Sequence, residues 1–385
     1  MTLYEGIALI QEKQAVVLDL GADYTKFGFT GEAAPRCIIK SEFWCPMERQ
    51  YKRVYDYNTT EELYDNLVQM LHLLYFRHVL VNPKERKVVV IESLLTTTQF
   101  RETLAKVLYM HYEVSGVTWW DTGRACAATL GVGTALVVSI GAREAEVTPV
   151  VHAAPLVHAI QVPPLGMQAV RVHLAAILKE DNETELQLDD NVLEDILVRT
   201  CFVPSRKLAI QLASEGCNGV RSVVCGGAGM SVRVTGRARA LAAEPLFERD
   251  RDMASLPDAV LQCLTQCPRD TRRVLAENIL ITGGGAALPG LKARLAHELR
   301  HLITVEPYKD QLHIKTFKFH SSPCEDNVCA WVGGAVCGGA DGGGRAEPRD
   351  VYLRTRRLRD WACLLHNTPP DHHHHLHRDR LRTYT

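Results

Sequence analysis

Two stretches of twenty residues, 120 positions apart, constrain this chain more than any other feature. Residues 16–35 read VVLDLGADYTKFGFTGEAAP, and residues 136–155 read LVVSIGAREAEVTPVVHAAP. Each is an apolar strand, a glycine at its sixth position, a second alternating strand and a closing Ala-Ala-Pro. Period-2 alternation broken by a short glycine-bearing turn is the pattern of a β-hairpin. Two such hairpins so far apart predict a duplicated α/β architecture with two related halves. Chance similarity between two ordinary hairpins is the competing reading.

Strands alternate with helices around these hairpins, which argues an α/β fold with mixed sheets. Residues 59–77 place Leu63, Leu67, Met70, Leu71 and Leu74 on one helical stripe, with Thr59 and Glu62 spaced as a capping box. A buried-type strand is expected at 87–91 and another at 117–119. Helices are expected at 100–110, 124–130, 192–200, 256–265 and 291–299, with a strand at 278–281. The run CGGADGGGRAE at 337–347 is too glycine-rich for a regular helix and reads as a loop. The tail at 371–385, with its HHHHLH cluster, has no fixed ligand spacing and reads as a solvated end.

Composition narrows the class of protein. The chain has 385 residues and a formal net charge of -1, so nothing global calls for nucleic acid or an anionic membrane. No apolar run reaches the roughly 18 residues that span a bilayer, and residues 1–14 lack a basic-then-apolar export signal. The 12 cysteines are scattered, and reduced structural thiols are expected. The pairs Cys263/Cys267 and Cys324/Cys329 lack the spacing of a zinc site. Cys126 has no His-Asp pairing in sight that would make it a nucleophile.

A strand-Gly-strand turn can aim backbone N–H groups at phosphates, and two facing hairpins can hold a nucleotide between them. Gly21 and Gly141 stand at the two turns, and Lys26 follows the first. A third element, ITGGGAALPG at 281–290, offers Gly283, Gly284 and Gly285 at a strand end, with a helix expected to open at Pro289. Tight strand-helix packing explains the triple glycine equally well, and a hairpin lysine is most often simply exposed.

Several ordered segments together resemble the actin family. Asp19-Leu20-Gly21 with Lys26, Gly28-Phe29-Thr30-Gly31 and Ala34-Pro35-Arg36 resembles its first phosphate hairpin. ENILITGGGAALPGLKARLAHEL at 277–299 is similar to its adenosine segment, Ala330–Gly334 to its C-terminal helix, and RTCFV at 199–203 is also actin-like. The resemblance runs from about residue 15 to 361. It implies an α/β, actin-like fold, two related α/β domains around a cleft. The first half would be 1–129 plus 329–385, with a second subdomain shortened to about 41–56. The second would be 130–328, with a fourth subdomain at about 165–251.

The departures from the family bear on chemistry. Where actins place a Ser and a Gly around the terminal phosphate, this chain has Ala22 and Asp23. Ser139 and Ala142 stand where two carboxylates organise metal and water, and Arg143 replaces a small Gly. Thr122 aligns with the water-positioning Gln, and Leu197 and Val198 with the Lys and Glu that contact adenosine. Phosphoryl transfer needs a metal, charge neutralisation and a positioned water. The resemblance therefore implies no catalytic residues, no metal site and a degenerate nucleotide site at Gly21, Lys26, Gly141 and Gly283–Gly285. No cofactor is expected, with a trapped ATP or ADP as the alternative.

Finer matches resemble the divergent actin-related proteins of the dynactin pointed-end complex: LYEG at 3–6, LLYFRHVLVNPKERKVVVIES at 73–93, FRETLAKVLY at 100–109, QCPRDTRRVLAENI at 266–279 and RDWACLLHNTPP at 359–370. Only residues 38–58 fill the interval in which actins carry the loop that grips a neighbouring subunit. The resemblance implies a non-catalytic scaffold that caps the pointed end of the actin-related filament and joins other pointed-end subunits. It would contact dynein indirectly, in the cytoplasm and on the cytoskeleton, without nucleic acid, membrane insertion or homopolymers. The alternatives are an ATP-binding or ATP-hydrolysing actin-fold protein and an actin-related subunit of a chromatin-remodelling complex.

Overall fold

A computed structural model describes residues 14–182, 188–217, 219–227, 230–249, 255–339 and 346–358. The described residues open on three antiparallel strands, β1 (Val16–Leu20), β2 (Tyr24–Phe29) and β3 (Cys37–Lys40). A small separate hairpin follows, β4 (Glu42–Cys45) with β5 (Gln50–Arg53). Helix α1 (Thr60–Leu73) is capped by Thr59, whose hydroxyl accepts the Glu62 N–H at 3.2 Å. Its stripe of Leu63, Leu67, Met70 and Leu71 is buried, as the spacing predicts. Strand β6 (Lys87–Glu92), helix α2 (Thr98–Lys106) and strand β7 (Gly116–Asp121) then complete a sheet, with β6 parallel to both β1 and β7. Helix α3 (Thr122–Thr129) leads out of it, its first turn capped by the Asp121 carboxylate.

The second half repeats this plan. Strands β8 (Ala135–Ile140), β9 (Ala145–Val151) and β10 (Ala154–Pro155) are antiparallel neighbours. Helices α4 (Met167–Asp181), α5 (Asp190–Thr200) and α6 (Arg206–Glu215), a hairpin of β11 (Val223–Gly227) and β12 (Met230–Val234), and a short helix α7 (Gly236–Leu241) form an insertion. Helices α8 (Leu256–Gln266) and α9 (Arg269–Ala276) precede β13 (Ile279–Thr282), which lies parallel to β8. Then come α10 (Leu291–Leu302), a single turn α11 (Tyr308–Gln311) and β14 (Phe319–His320). Helix α12 (Cys329–Gly339), strand β15 (Glu347–Pro348) and helix α13 (Arg349–Thr355) return the chain to the first half, where β15 pairs with β7.

The sheets run β15-β7-β6-β1-β2-β3 and β10-β9-β8-β13-β14. Setting β15 aside and reading the first sheet from its β3 edge, both run third, second, first, fourth, fifth in the order of their own strands. The repeat seen at 16–35 and 136–155 is therefore a repeat of whole sheets. Its register matches as well: Asp19 faces Lys26 across β1–β2, and Ser139 faces Glu146 across β8–β9.

Each half has its own apolar core, and helices α3 and α12 join them. Trp331 on α12 is fully buried and donates its indole N–H to the Val17 carbonyl at 3.1 Å. A Cβ on Gly333 would stand 1.8 Å from the Ala125 carbonyl oxygen of α3, and one on Gly334 2.5 Å from Ile91 Cδ1. Here glycine is required by close approach, which outweighs its cost of about 1 kcal/mol inside a helix. The expectation of a loop from residue 337 is corrected accordingly: α12 continues through Gly339 because Gly338 packs against Val89 and Thr30. Residues 340–345 and the His-rich tail at 371–385 lie outside the described residues.

Candidate functional site

The two hairpin turns face each other across a cleft of about 970 Å³. They are built alike. The Gly21 N–H bonds to the Tyr24 carbonyl at 3.2 Å, and the Gly141 N–H to the Glu144 carbonyl at 3.0 Å. A side chain at either position would crowd the same carbonyl, at 2.7 and 3.0 Å. Gly283 has φ +90°, and its Cβ would strike the Ile140 backbone, so this glycine is fixed by geometry as well. Gly284 is open and lines the cleft, whereas Gly285 turns away from it against Ile140 and Met167. Helix α10 opens at Leu291 behind Gly290 in the left-handed region, two residues later than Pro289.

The charges lining the cleft do not suit a polyanion. Among the described residues, acidic ones outnumber basic ones there eight to three. Lys26, expected to be exposed, is mostly buried and pairs with Asp19 at 3.0 Å. Arg171 on α4 pairs with Asp23 at 2.9 Å. Arg143 lies over the Tyr55 ring, 5.1 Å from its centroid, and Tyr55 donates its hydroxyl to the Leu20 carbonyl at 2.6 Å. Among the described residues, every cation lining the cleft is thus engaged with the protein. An uncompensated carboxylate 4 Å from a phosphate charge costs about 4 kcal/mol at an effective dielectric of about 20.

The floor carries a buried acidic group. Glu92, Asp121 and Glu146 are all less than a tenth exposed. Burial pushes the Glu92 carboxyl up to about 7, against the pull of Arg101 and with a further push from Asp121. Arg101 Nε is 3.3 Å from Glu92 Oε1 but too poorly aimed to donate, and Glu92 Oε2 has no partner. Burial raises Asp121 and Glu146 too, although Ser93 at 2.8 Å and Thr148 at 3.0 Å donate to Glu146. Thr122, in the place of the water-positioning Gln, donates instead to the Glu92 carbonyl at 3.1 Å.

The other departures have consistent surroundings. Ser139 and Ala142 line the cleft without bringing a carboxylate. Leu197 is buried under α5, while Val198 is 70% exposed at the rim. Trp119 lines the cleft under the Arg101 guanidinium, and Trp120 is buried in the core, so neither tryptophan faces outward. Cys126 also reaches the cleft; its bond to Cys329 and its burial push the thiol up, away from a reactive thiolate. Among the described residues no group of three or more His, Cys, Asp or Glu side chains is placed to hold a metal. The residues present do not fit a metal-bound triphosphate.

Sequence reasoning missed the residues of the cleft mouth. A second cavity of about 270 Å³ there is lined by Lys40, Arg53, Arg171, Asp190, Asn191 and Glu194 with the turn at 22–24 and Ser41, Glu42 and Asp189. One signal was readable: Arg171 shares its helical stripe with Leu174 and Leu178, an odd place for a cation without a fixed partner.

Duplicated sheets of this order, joined by two helices and facing across a glycine-lined cleft, define a bilobal α/β architecture with a central cleft. Comparison with known proteins gives the particular family. The actin family model matches residues 10–189 and 231–342. The chain is 22% identical over 398 residues to actin-related protein 10 of Dictyostelium discoideum, covering 86% of this chain and 84% of that one. It is 24% identical over 363 residues to actin-related protein 2 of Arabidopsis thaliana, covering 86% and 92%. This chain belongs to the actin family.

Proposed function

We propose that this protein is a non-catalytic, actin-related scaffold subunit that caps the pointed end of the dynactin actin-related filament and joins other pointed-end subunits. The observation that carries the reading is the short β4–β5 hairpin. Only the segment between Lys40 and Thr60 separates β3 from α1, where the family resemblance calls for a long insertion that grips the next subunit. A subunit that retains the fold and lacks this grip can add to a filament and stop its growth. The engaged cations and acidic lining of the cleft support a role without ATP turnover or a required nucleotide. Similarity to actin-related protein 10 of Dictyostelium discoideum over most of both chains supports a place among the actin-related proteins.

The hairpin also offers a partner surface. Trp44 and Tyr51 stand edge to face at 5.4 Å, with more than half of each ring residue exposed, and Met47 at the tip is almost fully exposed. Exposed aromatic pairs of this kind anchor protein interfaces. The reading places the protein in the cytoplasm and on the cytoskeleton, in contact with dynein only through the assembly. Among the described residues, no helix is long and apolar enough to cross a membrane. Native pull-down with mass spectrometry tests it. Dynactin subunits in stoichiometric amounts are expected, and recovery with chromatin-remodelling subunits instead would overturn the assignment.

A further inference from the structure

In a bilobal fold the two lobes can close on a ligand that contacts both hairpins, and the bound state then sets the angle between them. Here contacts between side chains span the same gap. Asp23, on the first turn, pairs with Arg171 of α4 at 2.9 Å. The Tyr24 hydroxyl donates to Glu194 of α5 at 2.7 Å. Arg53 of β5 meets Asp190 at 2.5 Å, and Lys40 of β3 donates to Asn191. Deeper in, Arg143 covers the Tyr55 ring and Ser93 donates to Glu146. Each contact joins a residue of the first lobe to one of the second.

We propose that these side chains form an intramolecular latch that holds the cleft closed without a nucleotide. Three features argue for a built device rather than incidental surface pairs. The bridges are graded in depth: Arg53 and Asp190 are exposed at the rim, Arg171 is nine-tenths buried behind them, and Glu146 lies on the floor. Exposed ion pairs alone contribute little, but separating Arg171 from the partly exposed Asp23 would leave the buried guanidinium uncompensated. Asp23 and Arg143 occupy equivalent positions in the two repeats, 120 residues apart, and each reaches across to the opposite lobe. At the base, the α3–α12 crossing is too tight to slide, with Gly333 against the Ala125 carbonyl. The latch fixes the mouth and the crossing fixes the hinge, so the lobe angle is set by sequence. The inference concerns the cleft alone and stands whether or not the protein caps a filament.

Hydrogen-deuterium exchange on the full chain, with and without magnesium and ATP, tests the latch. In the parent protein, amides of 189–194 and 40–55 are expected to exchange slowly and equally in both conditions. Arg171→Glu should speed exchange at both lips on the order of tenfold. The charge-exchanged double variant, Arg171→Glu with Asp23→Arg, should restore slow exchange. Tyr24→Phe, which removes one hydroxyl and no charge, keeps the test usable if Arg171→Glu does not fold; it should speed exchange at 189–194 by roughly threefold. Lips in the parent that are fast until magnesium and ATP are added, or exchange unchanged in both Arg171→Glu and Tyr24→Phe, would overturn the proposal.

Discussion

Arg143 stands on the turn of the second hairpin and lies over Tyr55, on the far side of the cleft. Its removal should widen the space without restoring chemistry, because Ser139 and Ala142 still bring no carboxylate to a metal or a water. Arg143→Gly is therefore expected to show no metal-dependent phosphate release from ATP above the parent in a single-turnover assay; measurable turnover would contradict this reading of the site. Glu92 gives a second test at this scale. Its carboxyl titrates near 7 in the fold and near 4.3 in the unfolded chain, so the folded state binds more protons between those values. The sign is fixed by linkage: stability falls as pH rises from about 4.5 to 7, by roughly 3 kcal/mol, and is flat in this term above 7. Chemical denaturation of the parent and Glu92→Gln should show the difference moving by that amount in the variant's favour between pH 4.5 and 7.5. A pH-independent difference would refute the assignment.

At the scale of elements, the helices and strands that a local pattern specifies were readable. The α1 stripe and its Thr59 cap, the two glycine turns and the strand at β13 follow from periodicity, capping and turn chemistry. The β4–β5 hairpin was not, because its residues are mostly polar or half exposed and no burial alternation marks them. Nor was the mouth of the cleft, where each partner lies on a different element and only the tertiary fold joins Asp23 to Arg171. The end of α12 departs from the loop expected there for a related reason: Gly333, Gly334 and Gly338 are set by contacts with α3, β1, β6 and Thr30 that no local rule contains. Gly333→Ala should cost about 1–3 kcal/mol or more by overpacking against Ala125. Val336→Ala, exposed on the same helix, should stay within about 0.5 kcal/mol. Equal losses in thermal or denaturant unfolding would show that the crossing is not tight. On the hairpin, Trp44→Ala is expected to weaken recovery of pointed-end subunits in pull-downs while leaving the unfolding midpoint within a degree or two; undiminished recovery would remove the hairpin from the interface.

For the whole molecule, the two hairpins 120 residues apart now stand for two complete sheets of the same order, and the chain between them for one hinge and one cleft. The actin architecture is kept, while Lys26, Arg171 and Arg143 are engaged with the protein and a short hairpin stands between β3 and α1. Both features motivate the proposed role as the terminal member of a filament built from relatives. The direct test is a single-filament assay with immobilised actin-related filaments and the fluorescently labelled protein. One molecule bound at one end, elongation arrested at that end alone, and no self-assembly at concentrations where actins polymerise are the predicted results. Homopolymers, or label incorporated along the length of growing filaments, would contradict the account.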